Sequence, residues 1–295
     1  MVTITTDPAL GGRWTSLRTG GHAGTAQPGS EAPARDRSTA GRDWLWHRPD
    51  PARASVRPGD AFVDAGGLEE CIPTIRGVPD HGDAWSRPWM VVSPTTSLVR
   101  CPDFTLRREI TSSQAFYRLE AAPGWRFLWA AHALLDVSPD AVLLAPNGTE
   151  TRVDGGSTAA WPVGLERLGP DDGTAIGAIL VDCPTTTVAD GERLTFTLEA
   201  PDQPISTALW RNLRGWPTEA HIRGAEPRVS SGETLIARDP ATAGAGDPLT
   251  VTPYRSIGVE PMLGRVFDLA QAGPGDAAVV PPSGVCEWTL TVTAG

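Results

Sequence analysis

The chain is expected to be all-β, a large and mainly antiparallel sandwich, on three observations. Glycine and proline supply 32 and 28 of the 295 residues. That is about one residue in five against the roughly 12% of ordinary domains, and it favours many turns over long helices. Apolar side chains alternate with polar ones instead of recurring at helical spacing. The one helix candidate, Val266 to Gln271, is too short to carry an architecture. Sandwiches of this length commonly stay undivided, so residues 1–295 are read as a single domain.

The strands follow in order. From Phe104 to Ile110, Phe104, Leu106, Arg108 and Ile110 share one face and Thr105, Arg107 and Glu109 the other, the pattern of a half-buried strand. Similar runs are Ala115–Ala121, Phe127–His132, Ala141–Ala145, Ala178–Asp182, Leu194–Glu199, Ser206–Leu213, Ser256–Glu260 and Cys286–Thr293, each bounded by Gly, Pro or Asp. Two polar stretches, 20–42 and 223–247, hold too few large apolar residues to offset their ordering entropy and read as surface insertions.

Composition excludes several functions. A net charge of −10 argues against nucleic acid or an anionic membrane as partner, since either needs clustered positive charge. All 25 basic residues are arginine. Without lysine there is no Schiff base, no pyridoxal phosphate anchor and no Walker A motif. The signatures G-x-S-x-G, G-x-G-x-x-G and H-E-x-x-H are missing too. Cys71, Cys101, Cys183 and Cys286 are irregularly spaced, with no C-x-x-C pair, and read as buried thiols. No apolar run is long enough to span a membrane and Met1 to Leu10 lacks the features of a signal peptide, so a cytoplasmic protein is expected, without metal or cofactor.

The stretch Gly66 to Trp89, GGLEECIPTIRGVPDHGDAWSRPW, carries the most chemistry. Its glycine pair lets backbone approach closely, and Pro73, Pro79 and Pro88 deny it a long helix or central strand, so a rigid, exposed loop is expected. Its wording resembles the aldose 1-epimerase, or galactose mutarotase-like, superfamily. Further similar segments follow in the same order: GGRWTSL from Gly11, RDWLW from Arg42, FLWAAHALLDV from Phe127, ALWRNLRGWP from Ala208 and YRSIGVEPMLG from Tyr254. The resemblance implies a β-supersandwich and interconversion of the α and β anomers of a free sugar, with Glu260 as base and His132 as acid. It also implies that His81 binds substrate.

The residues by themselves leave alternatives. Glu260 shares its face with Ser256 and Gly258, which leave room for a ligand, while Ile257 and Val259 fill the other side. His132 is either a hydrogen-bonded core histidine or the acid, and His81 either closes a tight turn or meets a hydroxyl. Glu70 and Asp83 either bind hydroxyls or are solvated. Arg108 pairs with a carboxylate or reaches a sugar. With 11 tryptophans against 2 tyrosines, indole faces are plentiful, and Trp85 and Trp216 are the favoured cleft walls. There are departures from the family pattern: Ala133 and Leu134 follow His132 in place of proline and an aromatic, and Gly-Asp-Ala-Trp follows His81 in place of the Gly-x-x-Arg of the sugar-phosphate branch, which places phosphate recognition in doubt. They permit a non-catalytic carbohydrate-binding or regulatory protein as the second reading, and a glycosidase or lyase as a weaker third.

Overall fold

The computed structural model describes residues 2–20, 41–217 and 253–295. It is built almost wholly of antiparallel strands in two large sheets and one small one. The larger sheet runs, in spatial order, β1 (Val2–Asp7), β2 (Arg13–Thr19), β4 (Leu68–Cys71), β10 (Trp129–Leu135), β18 (Tyr254–Leu263), β17 (Ile205–Trp216), β14 (Ala175–Val181), β12 (Glu150–Val153) and β13 (Ser157–Ala160), with β3 (Arg42–Asp43) beside β2. The second runs β11 (Val142–Leu144), β15 (Thr185–Asp190), β16 (Glu192–Glu199), β20 (Val285–Ala294), β8 (Gln114–Ala121), β7 (Phe104–Ile110), β6 (Thr96–Arg100) and β5 (Met90–Val91). A short pair, β9 (Arg126–Phe127) with β19 (Ala278–Val279), completes the set.

Most strands expected from alternation are present and run longer, but Phe127–His132 divides between β9 and β10 in different sheets, and Ala141–Ala145 shortens to Val142–Leu144. Ser256–Glu260 extends to Tyr254–Leu263, and Ser206–Leu213 to Ile205–Trp216. The helix expected over Val266 to Gln271 shrinks to one 3-10 turn, Leu269–Gln271. The insertion at 223–247 lies outside the described residues, as does that at 20–42 apart from Gly20, Gly41 and Arg42. No described helix is long and apolar enough to cross a membrane.

Between the sheets lies one apolar core in which Trp14, Trp129, Trp288, Tyr117 and Phe127 are fully buried. A charged knot crosses it. Glu70 is 0% exposed and accepts from Arg108 Nη1 at 2.6 Å, Tyr117 OH at 2.8 Å and Trp129 Nε1 at 2.8 Å. Arg108 also donates to the carbonyl of Gly12 at 2.6 Å and lies over the Trp89 ring. Burial pushes the Tyr117 hydroxyl well above its ordinary range, so it remains a donor. A carboxylate taken from water is tolerable only when its lone pairs are met in this way.

The knot decides between the alternatives for two residues and corrects the account of the Gly66–Trp89 segment. Arg108 pairs with a carboxylate and does not reach a sugar, and Glu70, offered as a binder of hydroxyls or a solvated acid, is neither, because both are sealed between the sheets. The segment is no exposed loop at its start either, because Leu68–Cys71 forms β4 and all four residues are buried. Removing one partner strands a buried charge. Arg108→Met is therefore expected to lower the unfolding free energy by about 3–5 kcal/mol, read from urea denaturation. A loss no greater than that of an exposed pair contradicts this structural role.

Candidate functional site

Side chains on successive strand residues point to opposite faces, so the residues flanking Glu70 point away from the core. Glu69 and Cys71 thus emerge on the outer face of the larger sheet. There a smaller apolar cluster holds Cys71, Ile75, Ala130, Ile179, Val181, Ala208 and Met262, with Phe267 packed on it. The strand register lines up a row of functional groups on this face. Glu69 pairs across to His132, and Ala208 to Glu260. Pairs Ala130–Met262 and Leu134–Gly258 carry β10 past β18 so that His132 stands opposite Glu260. The two meet at 3.6 Å between Nε2 and Oε1, with His132 8% and Glu260 3% exposed.

Small neighbours make room for this pair. A Cβ at Gly258 would lie 2.5 Å from Glu260 Oε1 and 3.1 Å from the Trp210 Cβ, so the carboxylate occupies space that only glycine leaves free. Burial raises the Glu260 pKa above the usual glutamate value, against the pull of His132 and Arg76. On the far side of His132, Glu69 is held by Arg53 through both oxygens, at 3.0 and 3.1 Å, with Arg13 at 3.8 Å. Burial pushes Glu69 up to about 7 in spite of the two guanidinium groups.

A loop closes over the histidine end. His81 adopts φ +55°, a left-handed conformation uncommon for a residue with a side chain. Such a conformation costs on the order of 1 kcal/mol and persists only where its surroundings hold it. Here Phe62 stacks on the imidazole at 3.7 Å, and His81 Nδ1 lies 2.8 Å from Asp80 Oδ1. Asp80 also accepts from the Phe62 backbone N–H at 2.9 Å. Burial alone would raise Asp80, but these hydrogen bonds outweigh it and hold the carboxyl below its usual range. An ionised carboxylate only accepts, so Nδ1 of His81 carries the hydrogen and Nε2 is left free of it in the neutral ring. Burial lowers the His81 pKa, which favours that neutral form. The His81 and His132 rings meet edge to face at 5.1 Å.

Aromatic groups flank the opposite end. Trp46 stacks on Tyr254 at 5.7 Å, Arg48 lies over the Tyr254 ring, and the Tyr254 hydroxyl donates to Asp64 at 2.7 Å. Trp210 meets Trp216 edge to face at 6.0 Å and donates its N–H to Ser256 at 3.1 Å. Asn212 holds the turn that follows, accepting from the backbone of Gly215 and Trp216.

The structure therefore brings Glu260, His132 and His81 together, with Trp216 half-buried at the rim. It does not bring Asp83, which pairs with Arg87 at 3.2 Å. Trp85, expected as a cleft wall, is fully buried beneath Phe62, where its N–H donates to the Asp80 carbonyl; it supports the loop and presents no open face. Phe62, Asp64, Glu69, Trp210 and Tyr254 were not anticipated as neighbours of the site. For Glu69 a signal existed: had Leu68–Cys71 been read as a strand, alternation would have sent one glutamate inward and the next outward. Phe62 and Asp64 lie in an irregular segment with no spacing to betray them.

No protein-family model matches the chain, and no curated protein is detectably similar to it in sequence. Its fold is nevertheless shared with solved structures. A GalM/aldose epimerase homologue from C. elegans superposes with a TM-score of 0.56 at 13% identity, covering 100% of this chain and 95% of that one. A candidate aldose 1-epimerase from Escherichia coli K12 gives 0.56 at 12%, covering 99% of each chain. A galactose mutarotase related enzyme from Lactobacillus acidophilus gives 0.51 at 10%, covering 99% and 95%. At such identities the likeness establishes the fold: an antiparallel β-sandwich of the mutarotase-like kind.

The two buried carboxyls generate a pH prediction. Each has a folded-state pKa above its ordinary 4.5, so the folded protein binds more protons than the unfolded chain, and stability falls as pH rises through the window. For Glu69 that window runs from 4.5 to about 7. Carboxyl carbon NMR should place both midpoints above 4.5, and Glu69→Gln should remove part of the decline in unfolding free energy. A stability profile flat across this window contradicts the assignment.

Proposed function

We propose that the protein is an aldose 1-epimerase-like isomerase acting on a free, unphosphorylated sugar. The observation that carries this reading is the cross-strand pair of Glu260 and His132, 3.6 Å apart on the outer face of the larger sheet. Mutarotation moves protons at two oxygens bonded to the same carbon, so acid and base must stand close together. Glu260 takes the proton of the C1 hydroxyl while His132 gives one to the ring oxygen. The bond from C1 to the ring oxygen breaks, leaving an open-chain aldehyde. Rotation about C1–C2 and reversal of both transfers close the ring on the other face, with no net change in protons.

The surroundings support this chemistry. Burial raises the Glu260 pKa and so makes the carboxylate a stronger base, each positioned group being worth roughly 10²–10⁴-fold. His81 lies edge-on to His132 and offers Nε2 toward a hydroxyl. Charge favours a neutral substrate: Glu260, Asp64 and Asp80 gather at the site, and the nearby Arg76 is already paired with Asp154. A phosphate would meet this negative field unmatched. The glycosidase reading lacks a second free carboxylate, because Arg53 occupies both oxygens of Glu69. The close approach of His132 to Glu260 also suits a non-catalytic carbohydrate-binding protein, in which the pair would hold hydroxyls without transferring protons.

Saturation-transfer NMR on freshly dissolved α-glucose, α-galactose and a panel of deoxysugars separates the two. Glu260→Gln and His132→Asn are each expected to fold and to lower turnover by about 10²-fold or more, with sugar affinity changed much less. The acid limb of kcat/KM should lie above the ordinary glutamate range, since activity needs the ionised form of a carboxyl that burial has raised. Sugars that bind yet equilibrate no faster than in buffer would favour the binding protein. Folded variants with near-normal anomerisation would sink the roles given to Glu260 and His132.

A further inference from the structure

A second row of residues runs beside the His132–Glu260 row on the outer face. Across three adjacent strands Gly258 pairs with Trp210, and Trp210 with Gly177. Beyond Gly177, Asp154 donates its backbone N–H to the Gly177 carbonyl at 2.8 Å. The half-buried indole of Trp210 is thus flanked on both sides by residues without side chains. Each gap is filled from elsewhere. The Glu260 carboxylate takes the space over Gly258, and the Arg76 guanidinium takes that over Gly177, where a Cβ would lie 2.8 Å from Nη2.

Arg76 is held firmly for a residue of this exposure. Its ring contact with Phe267 is 4.5 Å, its Nη1 is ion-paired with Asp154, and its backbone N–H donates to Phe267 at 2.8 Å. The indole is fixed as well, by its N–H on Ser256. Glu260 and Arg76 therefore bracket a rigid apolar platform. The glycines beneath them lie two strand spacings apart, about 10 Å, a gap suited to one sugar ring with its hydroxyls.

We propose that Trp210 and Arg76 form a distal subsite for a neutral aldose: the indole takes the C–H face of the ring, and the guanidinium donates to hydroxyls on carbons remote from C1. The assignment of C1 to the Glu260 end rests on the reading given under the proposed function. Because Asp154 matches the charge of Arg76, the subsite reads hydroxyl geometry and has no free cation for an acid. A planar fork with several donors discriminates the orientation of neighbouring hydroxyls, which a lysine could not do. An indole face accepts the apolar side of a ring without regard to that orientation.

The test measures binding and turnover separately. D-glucose, D-galactose, D-allose and D-mannose are titrated against wild type, Arg76→Ala, Arg76→Lys and Gly177→Ala by tryptophan fluorescence, and anomerisation is followed by NMR. Arg76→Ala is expected to weaken the best-bound sugar about 10- to 100-fold, the loss of charge-assisted hydrogen bonds, to raise KM accordingly, and to narrow the preference among the epimers. Arg76→Lys should not restore the preference. Gly177→Ala should act in the same direction by displacing the guanidinium, without removing it. Unchanged affinity and preference in Arg76→Ala overturn the subsite, as does a fall in kcat at constant KM. If wild type equilibrates sugars and Arg76→Ala behaves identically, the subsite fails while the isomerase reading stands. Sugar binding that depends on Arg76 without any equilibration leaves the subsite and removes the isomerase. Failure of all four sugars to bind wild type overturns both.

Discussion

The buried contact of Glu70 with Arg108, Tyr117 and Trp129 is the constraint on which the outer face depends. Its partners come from β7, β8 and β10, so a single carboxylate ties β4 to the facing sheet and to its own neighbour. A one-residue slip of β4 would bury Glu69 in its place and turn Glu70 outward. Desolvation opposes this, because Glu70 would then enter the apolar cluster around Cys71 while Leu68 faced Arg53, leaving two buried charges unpaired. With Glu70 inward, Glu69 must face out, and its cross-strand partner His132 with it. Register then delivers Glu260 to the next strand. The geometry of the acid–base pair is thus inherited from a polar interaction on the other side of the sheet.

The outer face obeys a different economy from the core. Inside, large aromatic side chains fill the space between the sheets. Outside, glycines at 177 and 258 leave gaps that charged groups from other segments occupy. Ionisable groups here are buried without being fully paired, which raises Glu260 and lowers His81. Such conflicts between local stability and local charge cluster where a protein does chemistry. The left-handed backbone of His81, held by Phe62 and Asp80, is a third instance at the same place.

Legibility differed sharply between the two glutamates of β4. Proline and glycine in Gly66–Trp89 led to an exposed loop, and within a loop nothing distinguishes Glu69 from Glu70. Only membership of a strand makes adjacent residues differ in kind. Arg108 was legible in part: its place on an apolar face announced a buried partner, but which carboxylate it met depended on a strand nearly forty residues away. Trp85 was misplaced because an indole buried under a loop and one lining a cleft carry the same local signal.

The sequence by itself determined the fold class, through period-two alternation and frequent turn residues, and it marked Glu260 by the small neighbours on its face. Those are local properties, carried within a few residues of chain. What only the tertiary structure decided is which groups meet: His132 with Glu260 across β10 and β18, His81 under Phe62, and Arg76 over Gly177. These contacts join segments distant in the chain, and their energies come from burial and strand register. Neither quantity exists until the sheets have formed.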